Sequence, residues 1–277
     1  LVVLTQDGVF CARGMDGLRP MVVGTGDSTW AIASESCAFK DIGLTLARDV
    51  DPGEILRLTP TGIETVGRIP GHLRICVFEW LYFAREDSVI EGVPVVDARY
   101  RYGGFLAEEE DVEADIVGSV PFTGNLHAEG FSLASGLPCV SLFVPPRFVL
   151  RTYNLPLDSR LTEKARKFVV IDEAVRGKRI LLVDDSIRAG ITKAGLIEKL
   201  RISGAKEIHV RIASPASTRY CPKDPAPLKE EEFIAATHSV EEIRQIVGAD
   251  TLRYQSLERL PEGVGLPGET LCTDCFR

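Results

Sequence analysis

Several things are scarce in this sequence, and each scarcity narrows the reading. Positive charge is in deficit: 32 Lys and Arg stand against 40 Asp and Glu, a formal net charge of −8. A phosphate backbone needs a clustered basic face, so nucleic acid is not expected as a main partner, while a local basic pocket stays compatible with the balance. No apolar run approaches the roughly 20 residues that span a bilayer, and no charged-then-apolar leader precedes the first strand-like segment. The expectation is no membrane partner and a cytoplasmic location. Methionine is missing from the start, where Leu1 opens directly on the strand-like run LVVLTQDGVFCAR, as in an incomplete or processed product. Histidine is rare, and His127, His209 and His238 have no partner readable from sequence.

What is present is a chain of 277 residues with 45% hydrophobic and 26% charged side chains, enough for one large or two modest globular domains. Seven cysteines without a secretory signal suggest metal binding or reduced thiols before disulfides. Cys272 and Cys275 form a C-x-x-C pair, which fits either a redox dithiol or half of a zinc site.

The most informative stretch is KRILLVDDSIRAGITKAG, residues 178–195. Ile180 to Val183 is a continuous apolar run suited to a strand buried on both faces of a parallel sheet. Asp184 and Asp185 stand at its carboxyl end, and Gly190 and Thr192 fall in the following loop. From Lys193 the spacing of Ala194, Ile197 and Leu200 gives one apolar helical face that Gly204 stops. Ile208 to Ala213 reads as the next buried strand, so the unit is βαβ. A loop entering a helix directs free N–H groups at an anion, and paired carboxylates accept from sugar hydroxyls or attract a hard cation such as Mg²⁺. An acidic helix cap is the alternative for Asp-Asp-Ser.

Before this stretch, residues 1 to about 70 read as short strands in antiparallel sheet. Cys11 lies inside one of those strands, and Cys37 reads as a small core residue. From His72 the pattern turns to mixed α/β. ICVFEWLYFA reads as an apolar strand-like run, Val95 to Glu109 as an amphipathic helix and Ile116 to Val120 as a buried strand. A turn from Pro121 to Asn125 leads into a helix that ends at Gly136, and Leu137 to Val144 returns as a strand. All strand ends of a parallel sheet share one side, so this turn is expected beside Asp184. Residues 145–168 have weak periodicity, three prolines and six basic residues, which suits a mobile loop or a solvated basic surface. Two helices broken at Thr237 to Ser239 are expected near the end, the second with a Ser239–Glu242 capping box. Cys139 reads as core.

The signature ILLVDDSIRAGIT resembles the phosphoribosyl pyrophosphate (PRPP) motif of type I phosphoribosyltransferases. Together with GLRP, ASESCAF, RDVDPGEIL, FEWLYFAREDS, HSVEEIRQIVGADTL and LCTDCF, it makes nearly the whole chain similar to the glutamine amidophosphoribosyltransferase family of purine synthesis. The resemblance implies an α/β fold. Residues 1–71 would be the back part of an N-terminal-nucleophile glutaminase domain, and 72–277 a type I phosphoribosyltransferase domain with a parallel sheet, flanking helices and a mobile loop. It implies transfer of ammonia to C1 of PRPP with loss of pyrophosphate, giving phosphoribosylamine. The family's nucleophilic cysteine and glutamine-binding front part are not in this sequence, so ammonia would come from solvent or from glutamine through a partner glutaminase. A homo-oligomer is expected.

By the same resemblance, Asp184 and Asp185 hold ribose hydroxyls and Mg²⁺, which Thr123 also touches. Thr123 and Gly124 form the pyrophosphate turn, and Ser186, Gly190 and Thr192 cradle the 5′-phosphate. Arg147, Arg151, Arg160 and Lys167 supply loop cations where charge develops in the transition state. Cys76, Cys221, Cys272 and Cys275 match the ligands of a [4Fe–4S] cluster with a structural or oxygen-sensing role, with zinc the rival in an all-sulfur site. Departures from the family pattern are Phe122 for an acid, Pro145 and Pro146 for Lys and Asn, Leu150 for Gly and Ala165 for Arg. Within the signature, Arg188–Ala189 replaces Val-Arg, with Arg188 restoring positive charge one position early, and Ile191 stands for Thr. Each lost phosphate donor would cost ~1 to 3 kcal/mol. The competing reading is a non-catalytic PRPP-binding or regulatory chain that keeps the fold and cluster.

Overall fold

The computed structural model describes residues 1–144, 168–221, 223 and 233–277, and of Ile191 and Thr192 the backbone alone. Two compact units are formed, Leu1–Ala98 with Leu260–Thr273, and Arg99–Arg259 with Asp274–Arg277.

The first unit contains β1 (Val2–Thr5), β2 (Gly8–Ala12), β3 (Val22–Gly26), β4 (Thr29–Ala33), α1 (Cys37–Lys40), β5 (Thr45–Asp49), β6 (Glu54–Thr59) and β7 (Gly62–Arg68). They make two antiparallel sheets, ordered β1-β2-β6-β7 and β4-β3-β5, as the short apolar runs and turn clusters predict. Cys11, Val23, Val50, Leu56 and Leu58 form a core here, and Cys37 is buried as expected. Within that core region Glu54 is 1% exposed. Its carboxylate accepts from both terminal nitrogens of Arg48, at 2.7 and 3.1 Å, from the Thr65 hydroxyl at 2.7 Å and from the Asp51 N–H at 3.0 Å. Burial opposes its charge, but these donors outweigh burial and hold the group down at about 2.

The first unit extends beyond the change of pattern at His72, because the next segment hydrogen-bonds back onto it. Arg74 N–H donates to Asp16 O, Cys76 N–H to Leu18 O and Val89 N–H to the Ser36 hydroxyl. Only Ile75–Cys76 of the run expected as a strand is extended, as β8; Glu79–Phe83 is a π-helical turn. Trp80 and Leu81 are fully buried in that turn and Glu79 pairs with Arg19 at 2.7 Å. A continuous apolar run has no period that separates a buried strand from a buried helix, and here tertiary packing decides. The hairpin β9 (Val89–Ile90) and β10 (Val93–Pro94) follows, then α2 (Val95–Glu108) at the expected position.

The second unit holds β11 (Ile116–Ser119), α3 (Asn125–Ser135), β12 (Phe143–Val144), β13 (Val169–Val170), α4 (Asp172–Val175), β14 (Arg179–Asp184), α5 (Ile191–Ile202), β15 (Glu207–Ile212), α6 (Ile234–Thr237), α7 (Val240–Val247) and β16 (Thr251–Tyr254). One parallel sheet runs β11-β14-β15-β16, its core built from alternate residues Ile180, Leu182, Ile208, Val210 and Ile212 against α5 and α7. Gly136 adopts a left-handed φ of 76° and ends α3, and Ser239 with Glu242 forms the capping box of α7. His238 lies between α6 and α7, and His209 contacts the Thr251 hydroxyl at 3.1 Å and Glu207 at 3.2 Å. The Leu137–Val144 strand is largely absent. Pro138 O accepts from Val117 N–H and Val140 N–H donates to Val117 O, which gives one parallel bridge at Cys139 before the chain turns away into β12, paired antiparallel to β13. Cys139 is exposed there and not in the core.

Candidate functional site

The second unit's sheet places its acidic strand end beside the turn after β11. Ile116 to Ser119 run in register with Ile180 to Val183, and the ladder continues with Val120 N–H donating to Val183 O at 3.0 Å. The two strands therefore release their chains at the same edge. Gly124, the last residue of the turn before α3, lies so close to β14 that a Cβ there would sit 2.7 Å from both Val120 O and Val183 O and 3.2 Å from Asp184 Cα. Only a bare backbone fits. The Pro121–Phe122 peptide is cis, with Phe122 exposed.

This close approach brings Thr123 Oγ1 to 2.5 Å from Asp185 Oδ1, to which it donates, while Ser186 Oγ donates to Oδ2 at 2.6 Å. Asp184 and Asp185 are 1% and 4% exposed. Burial pushes the Asp185 carboxyl above the usual carboxylate range, an effect opposed in part by the Ser186 and Thr123 hydroxyls and by the nearness of His127. Asp184 Oδ1 accepts from the Asp185 N–H at 2.8 Å, and Asp184 Oδ2 forms an ion pair with Lys193 Nζ. The carbonyls of Asp184 and Asp185 accept from Ala213 and Ser214 N–H, anchoring the acids to the end of β15. The Ser214 hydroxyl is buried with no partner among the described residues. Gly190, at φ 74°, turns the chain into α5, which begins at Ile191, so Thr192 belongs to the first helical turn and not to the loop. Its side chain, like Arg147, Arg151, Arg160 and Lys167, lies outside the described residues.

The donor set fits a hard divalent cation: two buried carboxylates and, on Asp185, two hydroxyls whose oxygens carry free lone pairs. The helix start at Gly190 and Ile191 suits an anion. Sequence reasoning missed Lys193. Its signal was a lysine in a first helical turn, where a cation is out of place.

Of the four cysteines matched to the cluster, Cys76 and Cys272 belong to the first unit and Cys221 and Cys275 to the second. Cys76 and Cys272 are direct partners on the parallel strands β8 and Leu271–Cys272 of the first unit, and burial pushes the Cys76 thiol up to about 12. In the second unit the carbonyl of Cys275 accepts from Thr218 and Arg219 N–H, shortly before Cys221. Among the described residues, no group of three or more His, Cys, Asp or Glu is gathered as a metal site.

No protein-family model matches the chain. It is 41% identical over 270 residues to the amidophosphoribosyltransferase of Archaeoglobus fulgidus, covering 97% of this chain and 59% of that protein. The same enzyme of Methanothermobacter thermautotrophicus is 41% identical over 278 residues, covering all of this chain and again 59% of the relative. The solved glutamine PRPP amidotransferase of Bacillus subtilis, a complex with ADP and GMP, superposes with a TM-score of 0.91 at 38% identity, over 99% of this chain and 62% of that one. The chain thus spans rather more than half the length of the relatives it matches. Across nearly all of its own length it is related in sequence and in fold to the amidophosphoribosyltransferases.

Proposed function

We propose that this chain carries the phosphoribosyl-transfer part of an amidophosphoribosyltransferase, adding ammonia to C1 of PRPP and expelling pyrophosphate to leave 5-phosphoribosylamine. The observation that carries the reading is the contact of Thr123 Oγ1 with Asp185 Oδ1 at 2.5 Å, which joins the turn after β11 to the acidic end of β14 on one sheet edge. Asp184 and Asp185 hold the ribose hydroxyls, their buried carboxylates accepting from the sugar. The 5′-phosphate sits at the start of α5, where the first-turn N–H groups have no intrahelical acceptor and the helix dipole favours an anion. Gly124 and Thr123 receive the pyrophosphate end. Because the transition state resembles an oxocarbenium ion, these residues act by fixing the sugar against its leaving group and by placing charge where charge develops. When bound, Mg²⁺ would neutralise part of the pyrophosphate charge, held by Asp184, Asp185 and Thr123. Ammonia arrives from solvent or from a glutaminase.

The four thiols Cys76, Cys221, Cys272 and Cys275 form, in this reading, a [4Fe–4S] centre, with zinc as the alternative occupant. The in-register Cys76–Cys272 pair supports it. Iron and sulfide content of anaerobically purified protein decides between the metals.

The chain with PRPP, Mg²⁺ and ammonium should release pyrophosphate. Tight PRPP binding without release assigns a regulatory role instead, and no PRPP binding at all refutes the sugar-phosphate site.

A further inference from the structure

Asp184 is 1% exposed, and a carboxylate that deep must be neutral or carry a partner. One oxygen takes the next residue's N–H; the other is paired with Lys193 Nζ, whose side chain is only 14% exposed. Lys193 comes from the first turn of α5, at the positive pole of the helix, which disfavours a cation. Its inward course is therefore set by Asp184, not by the helix.

Resting on the PRPP reading above, we propose that Lys193 is a built-in counter-ion: it holds the cation position on Asp184 in the ligand-free chain and yields it to a divalent metal when a sugar phosphate binds. Lysine suits this exchange, since its ammonium is a point charge on a flexible four-carbon stem. The expected 5′-phosphate position lies at the same helix start. A phosphate there attracts the ammonium as strongly as the carboxylate does, so Lys193 changes partners from Asp184 to phosphate. The carboxylate is left for the metal, and no charge is stranded at either stage. Lys193 is thus a positioning residue that orders ligand addition. Metal alone meets an occupied carboxylate, whereas metal with sugar phosphate meets a vacated one.

The test is titration of the 277-residue chain with Mn²⁺, followed by electron paramagnetic resonance of the free ion, with and without PRPP. Wild type should bind Mn²⁺ weakly alone and at least tenfold more tightly with PRPP. Lys193→Met should bind Mn²⁺ alone tenfold or more tighter than wild type and should bind PRPP more weakly. Lys193→Arg, which keeps the cation, should match wild type in the absence of PRPP. Lys193→Gln is measured beside Lys193→Met, so that loss of fold in one leaves the comparison standing. Equal Mn²⁺ affinity of wild type and both neutral variants without PRPP would overturn the proposal, as would Lys193→Arg behaving like Lys193→Met. Failure of PRPP to tighten Mn²⁺ on any of the chains points elsewhere: it removes the sugar-phosphate reading and this inference with it.

Discussion

Replacing Gly124 by alanine tests the geometry of the site with a single methyl group. Backbone φ is no obstacle, since Gly124 has φ −76° and ψ −13°, values any residue adopts. The obstacle is space. The new Cβ would lie 2.7 Å from two carbonyl oxygens, on Val120 and Val183, and 3.2 Å from Asp184 Cα. All three are backbone atoms that cannot swing aside as a flexible side chain would. Overpacking of this kind costs about 1–3 kcal/mol, and in a unit of this size each kcal/mol lowers Tm by roughly 2–4 °C. Relief requires the turn to move away from β14, which lengthens the Thr123–Asp185 contact, so Mg²⁺-dependent PRPP binding should weaken along with Tm. Gly104→Ala is the control. It lies in α2 with only Ala134 Cβ, at 3.9 Å, near the added methyl. There the helix gains about 0.5–1 kcal/mol, because alanine loses less backbone freedom on folding than glycine. Calorimetry and PRPP titration of both variants give the answer. Gly124→Ala with wild-type Tm and wild-type PRPP affinity would show that the turn does not press on β14, and the argument for a shared edge would fail.

Three further outcomes are expected. Thr123→Val removes one of the two hydroxyls that donate to buried Asp185; ligand binding or turnover should lose about 1–3 kcal/mol, and Thr123→Ser should restore most of it in the pyrophosphate-release assay. Glu54, held at about 2 against an ordinary 4.5, contributes stability that is fully present above pH 4.5 and is lost as pH falls toward 2; the shift corresponds to about 3 kcal/mol, so Glu54→Gln should flatten the acid limb of a stability–pH curve. Arg211 is 1% exposed and takes its bidentate partner Glu110 at 2.6 and 2.7 Å; Glu110→Ala strands that guanidinium and should cost about 3–5 kcal/mol in urea unfolding, much of it recovered by Glu110→Leu with Arg211→Met.

The acidic strand was readable because a run buried on both faces and ended by charge has few other meanings, and the placement of Thr123 followed from parallel strands sharing one edge. Strand content after α3 was not readable. Leu137 to Val144 is apolar enough for the sheet, yet only the residues around Cys139 reach Val117 before the chain departs. Composition also misled for Cys139, whose exposure depends on which side of that single bridge it faces. In the same way, the apolar run after Cys76 gave no period to distinguish extended from helical backbone. Lys193 was visible only as a charge on a helix. Its partner lies across a loop, and side-chain reach over such a distance leaves no trace in residue spacing.

The first unit is discontinuous, and that has a consequence for synthesis. It needs Leu260–Thr273, including the strand that pairs with Ile75–Cys76, and this segment leaves the ribosome only after most of the second unit has been made. The nascent chain must therefore hold its early strands unfinished while the parallel sheet between them and their last piece assembles. A premature stop near Leu260 would leave β11 to β16 intact and deprive Cys76 of its neighbour, so late truncation should damage first the unit whose strands precede the parallel sheet.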